Sequence, residues 1–107
     1  MPGSRTVMGT EFEYSGTLAA GITVFFTPPH KKKITPEIIQ VIRDEITRRS
    51  PVRMGANRAP LVADSIGETL ALQYRESPQV MSYVLPLLIE EGFCTVSARK
   101  PFIIYRR

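Results

Sequence analysis

The chain is poor in the residues on which catalytic and metal centres are commonly built. Its 107 residues hold one cysteine, Cys94, and one histidine, His30. A lone cysteine excludes an internal disulfide framework and fits a reducing compartment. One Cys and one His, far apart in sequence, cannot supply the four ligands of a usual structural zinc site. Glu90 and Glu91 are neighbours in a helical stretch, so they point apart rather than converging on a substrate. Gly55-Ala56-Asn57-Arg58 lacks the Gly-Lys-Ser/Thr end of a phosphate loop. No catalysis, no cofactor and no metal are therefore expected. Long apolar runs are missing too: the longest, Leu18 to Thr27, is broken by Gly21 and Thr23, so no membrane partner is expected. Without a basic start followed by an apolar segment, no secretory signal is expected, and the expected location is cytoplasmic.

Positive charge is missing from one segment in particular. Residues 76–98 contain neither Lys nor Arg, although the whole chain carries a net +4. Residues 31–58 carry a net +5 and residues 99–107 a net +4, while residues 59–98 carry −4. A basic middle and a basic tail thus flank an acidic segment, an asymmetry that can mark an anion-binding face. Hydrophobic content of 43% and charged content of 22% are those of an ordinary globular protein. The length suits a single domain, 1–107, able to bury a real core.

Read along the chain, the pattern predicts an α+β fold. Residues 1–10 are polar and without periodicity, and are expected to be loose. Residues 11–33 are expected to form a β segment. Glu11-Phe12-Glu13-Tyr14 alternates as a half-buried strand does, and residues 22–27 are β-branched and aromatic, with Pro28-Pro29 ending the strand. His30-Lys31-Lys32-Lys33 reads as an exposed basic turn. Thr35-Pro36-Glu37 supplies a cap, a proline preset for the first helical position and a favourable acid, so a helix is predicted over 35–49. Its apolar stripe is Ile38, Ile39, Ile42 and Ile46. Ser65-Ile66-Gly67-Glu68 is a capping box that opens a second helix to about Tyr74, with Ile66, Leu70 and Tyr74 on one face. Ser77-Pro78 opens a third, with Met81, Leu85 and Leu88 inward and Gly92 ending it in a left-handed conformation. Residues 93–96 and 102–105 read as the strands of a hairpin.

The stretch 64–106 resembles the winged helix-turn-helix superfamily. Leu70-Ala71, Ser77-Pro78, Met81-Ser82, Leu85, Leu88 and Gly92-Phe93-Cys94 fall at the family's spacing. The resemblance implies a three-helix core over 35–106 with a C-terminal β-hairpin as the wing, and the third helix as the reader of duplex DNA. Two departures stand out. Arg75 and Glu76 occupy the turn where the family carries glycine and an apolar plug. Pro86 lies mid-helix, where proline removes a hydrogen bond, and a kink is expected.

Two binding readings follow. In the first, the module binds DNA weakly through Arg75, Gln79 and Tyr83, the wing-tip Arg99 and Lys100, and the loop residues Arg53 and Arg58. In the second, it is a protein-interaction or homodimerisation module. The third helix is apolar on nearly all sides, so Val84, Leu87 and Ile89 need cover. That cover comes either from the chain's own N-terminal strands or from a second copy or partner.

Overall fold

A computed structural model of the chain describes residues 2–26 and 29–107. Its N-terminal third is a four-stranded antiparallel sheet of β1 (Gly3–Arg5), β2 (Glu11–Thr17), β3 (Gly21–Phe25) and β4 (Lys31–Ile34), in that spatial order. Tyr14 stands opposite Val24, and Val24 opposite Lys32. Because side chains alternate across a strand, this register puts Phe12, Ile22, Val24 and Ile34 on the buried face and leaves Glu11, Glu13, Lys31 and Lys33 exposed.

The sheet corrects two expectations. Within the stretch expected to be loose, Gly3–Arg5 pairs with β2, and the Thr6–Thr10 turn is closed by Thr6 N–H donating to the Thr10 carbonyl at 2.9 Å. Lys31–Ile34, expected as a basic turn up to Lys33, is a paired strand. Its apolar Ile34 is one residue beyond the lysines, and Lys32 is occupied by an ion pair to Glu76 at 2.6 Å. Strand β3 ends at Phe25, and what was expected of Thr27 and Pro28 lies outside the described residues.

Three helices and a second sheet follow: α1 (Pro36–Arg49), β5 (Val52–Arg53), α2 (Ile66–Tyr74), α3 (Val80–Glu90), β6 (Cys94–Val96) and β7 (Ile103–Arg106). The second sheet has the order β5-β7-β6, all antiparallel. The Thr35 hydroxyl accepts from Ile38 N–H at 3.3 Å and caps α1, as its sequence predicts. The Ser65 hydroxyl accepts from Glu68 N–H at 3.0 Å. The Glu68 carboxylate reaches the Asp64 N–H at 3.2 Å, one residue before the reciprocal partner of a standard capping box. Ser77-Pro78-Gln79 forms a tight turn rather than the first helical residues, and α3 begins at Val80. Gly92 takes the predicted left-handed conformation at φ 86°.

Helix α3 runs unbroken through Pro86. Its seven buried residues include Val80, Met81, Val84, Leu85 and Leu88, each worth about 1.5–3 kcal/mol in burial. That sum outweighs the roughly 3 kcal/mol a proline costs in an ordinary helix interior. The core is one contiguous cluster drawn from both sheets and all three helices, with Val24, Ile42, Leu70, Leu85 and Ile104 fully buried. Tyr74, expected on the inner face of α2, is 45% exposed; its helix buries Ile66 and Leu70 instead.

Candidate nucleic-acid interface

The residues at the end of β5 are held by backbone bonds from two sides. Met54 N–H donates to the Phe102 carbonyl at 3.0 Å, and Gly67 N–H donates to the Met54 carbonyl at 3.1 Å. The 53–55 segment is thereby clamped between the hairpin and the start of α2. Gly55 turns the chain at φ 68°, where a side chain would also collide with the Ser65 hydroxyl. The hairpin tip is organised by Ser97. Its hydroxyl accepts from Ile103 N–H at 2.9 Å and lies within hydrogen-bond reach of the Arg99 and Pro101 carbonyls. Arg99 and Lys100 are exposed at that tip.

Between these two loops and the first turn of α3 lies a cleft of about 580 Å³. Arg53, Asn57, Gln79, Tyr83, Lys100 and Phe102 are among the residues that line it, and Thr6–Met8 of the β1–β2 turn closes one side. Four of the seven residues expected at a nucleic-acid site, Arg53, Gln79, Tyr83 and Lys100, therefore share one cavity. The other three do not line it. Arg75 ends α2 in the left-handed region at φ 53°, Arg58 sits in the exposed loop, and Arg99 is on the hairpin tip beyond the cleft.

Part of the chain's basic charge is taken up by ion pairs. Arg5 pairs with Glu11, Lys32 with Glu76, Arg43 with Glu91, and Arg48 and Arg49 with Glu45. Among the described residues, neither Arg53 nor Lys100 is in an ion pair; Arg53 makes only a long 3.4 Å bond to the Ala63 carbonyl. Tyr83 is half-buried, with Phe12 edge-on at 5.2 Å and Phe26 at 5.5 Å. Burial pushes its phenol above the usual tyrosine value, so the ring presents a neutral hydroxyl at physiological pH.

The expected partner-binding face is not on the surface. Val84 is 0% and Leu87 5% exposed, and Ile89 is half-buried against the core. Strand β1 packs along α3, and the Ser4 hydroxyl donates to the Glu90 carboxylate at 2.7 Å. The N-terminal strand supplies part of the cover for which a second copy was the alternative. Cover by the chain's own N-terminal strands was one of the two alternatives, but β1 itself was not expected, because residues 1–10 carry no apolar alternation. Sequence reasoning also missed Phe102 as a lining residue, since Phe102 read as a strand position of the hairpin.

Cys94 is fully buried, and desolvation pushes its thiol up to about 11 against the opposing pull of Arg106 and Arg43. A protonated thiol of that kind is not a nucleophile. His30 lines an adjoining groove of about 1270 Å³ that shares Tyr83 with the cleft. No group of three or more His, Cys, Asp or Glu side chains could hold a metal ion among the described residues. Among the described residues, no helix is long and apolar enough to cross a membrane. Compared with protein-family models, with curated proteins and with solved structures, the chain finds no match in any of the three.

Proposed function

We propose that the chain is a non-catalytic binding module with a winged-helix-like core, and that it holds DNA weakly through a rim of loop and hairpin residues. Support for the winged-helix reading comes from the order α1-β5-α2-α3-β6-β7, with β7 between β5 and β6. The tight Ser77-Pro78 turn between α2 and α3 and the exposed hairpin tip agree with it.

The observation that carries the binding reading is the convergence of Arg53, Gln79, Tyr83 and Lys100 on one cleft, with both cations outside the ion-pair set. Phosphate attraction supplies most of non-specific nucleic-acid binding, and each neutralised phosphate adds about 0.9 to the salt slope on duplex DNA. Gln79 and Asn57 are the cleft's only side-chain amides, so direct base-edge readout is sparse and sequence preference is weak.

The test is fluorescence anisotropy of a labelled mixed-sequence duplex between about 50 and 200 mM salt, at protein concentrations on the order of 10 μM. Binding that weakens with salt is expected. The Arg53→Ala/Lys100→Ala double variant should lower the log–log slope by about two. Absence of salt-sensitive binding in this range would overturn the proposal.

A further inference from the structure

We infer that the strand this cleft takes in is unpaired: a short single-stranded segment with one base inserted beside Tyr83 and Phe102. The inference rests on the reading that the cleft contacts nucleic acid, and it names what kind. Reading a duplex by direct contact needs a convex element, a helix or two-stranded ribbon, that enters a major groove about 12 Å wide. Helix α3 offers no such face. Its C-terminal half is walled by β1, with Ser4 bonded to Glu90 and Pro86 buried. Only Gln79, Ser82 and Tyr83 of its first turns reach the cleft, and they line a recess rather than a ridge.

A recess suits a flexible strand whose bases can splay out and stack on aromatic rings. The chemistry along it alternates in the required way. Phe26, 39% exposed, contacts Tyr83 edge-on at 5.5 Å, and Tyr83 is shared by the cleft and by the adjoining groove. Phe102 and Met54 add apolar wall, and Asn57 and Gln79 offer amide donors and acceptors to a base edge. Lys31 lines the groove, Arg53 and Lys100 line the cleft and Tyr83 lines both, so cations are available to the phosphates of a strand that follows the two. The cleft volume of about 580 Å³ lies within the roughly 300–1,000 Å³ range of small-ligand sites, enough for a nucleotide but not for a duplex.

The experiment compares labelled oligo(dT) and oligo(rU) of about ten nucleotides, within the 4–16 nucleotides that small single-strand modules cover, with a duplex of equal length. Single strands should bind the full chain about tenfold more tightly than duplex, the weight of one stacked base. The two strands distinguish deoxyribose from ribose as the source of the unpaired base; tighter binding of either than of duplex is the expected result. Equal or weaker binding of both single strands overturns this inference while leaving the DNA-binding reading standing. Absence of binding to all three overturns both. Tyr83→Leu should weaken single-strand binding about tenfold and so remove the advantage over duplex. Because that variant could fold poorly, photo-crosslinks from 5-iodouracil strands to the unaltered chain provide the second readout. Crosslinks at Phe26, Tyr83 or Phe102 are expected, and crosslinks confined to other aromatic residues would overturn the inference.

Discussion

Gly67 sits inside α2, where glycine costs about 1 kcal/mol relative to alanine, and nothing in the local pattern calls for it. The structure supplies the reason. A methyl at this position would overlap the Gly55 carbonyl oxygen and press on Pro78, because the 53–55 segment passes directly over the helix start. Overpacking of this kind costs about 1–3 kcal/mol, and here the obstacle is backbone next to the hydrogen-bonded Met54 rather than a flexible side chain. The steric cost therefore exceeds the propensity gain, and Gly67→Ala should lose a net amount of about 1–2 kcal/mol in urea unfolding. An unchanged or raised midpoint would remove this account. Arg75 shows the converse case. The winged-helix spacing that residues 64–106 resemble has glycine at this position, and Arg75 adopts the left-handed backbone that glycine takes most easily, at φ 53°. The demand on the backbone was legible in the sequence, whereas the demand on space at Gly67 was not.

Helices and strands are tied to one another by a few polar contacts whose worth can be ordered. Arg43 on α1 donates to both oxygens of Glu91 at the end of α3, at 2.5 and 3.0 Å. That hydrogen bond holds the Glu91 carboxyl below its ordinary value of 4.5, with burial opposing it. A carboxyl depressed in the folded state adds stability that is complete above its unfolded pKa and is lost as pH falls through the folded one. The Glu91 side chain is 43% exposed, so screening limits the pair to less than about 1 kcal/mol. The difference in urea midpoint between the wild type and Glu91→Gln should thus be present at neutral pH and shrink toward about pH 3, below the usual glutamate pKa. A gap that stays constant or widens in acid would contradict the assignment. Glu45 is more deeply placed, bonded by Arg48 and Arg49, while Arg49 also reaches the Thr69 hydroxyl and the Asp64 carbonyl, each at 3.0 Å. The Glu45–Arg49 pairing followed from i,i+4 spacing. Asp44 and Arg48 share that spacing but do not pair, because Arg48 turns to Glu45 and Asp44 accepts from Gln40 at 2.8 Å.

At the scale of the molecule, the N-terminal strand decides how α3 is used. The Cα radius of gyration is 12.7 Å, close to the ~13 Å of a compact chain of about 100 residues, so β1 belongs to the folded body. Removing residues 1–10 should uncover Pro86, Ile89 and the edge of Tyr83 and drive association through the exposed apolar face. Sedimentation should find the full chain monomeric and the truncated chain self-associating, with circular dichroism confirming that its helices persist. A folded, monomeric truncation would show that β1 covers nothing in need of cover. By itself the sequence determined the three helices, the Thr35 and Ser65 caps, most of the strand positions and most of the inward faces. Those follow from local rules: period, capping chemistry and proline placement. Only the tertiary structure decided that β1 exists, that Val84 and Leu87 are buried within the chain, and that Arg53, Gln79, Tyr83 and Lys100 meet at one cleft. Those outcomes depend on contacts between residues tens of positions apart, which no local pattern encodes.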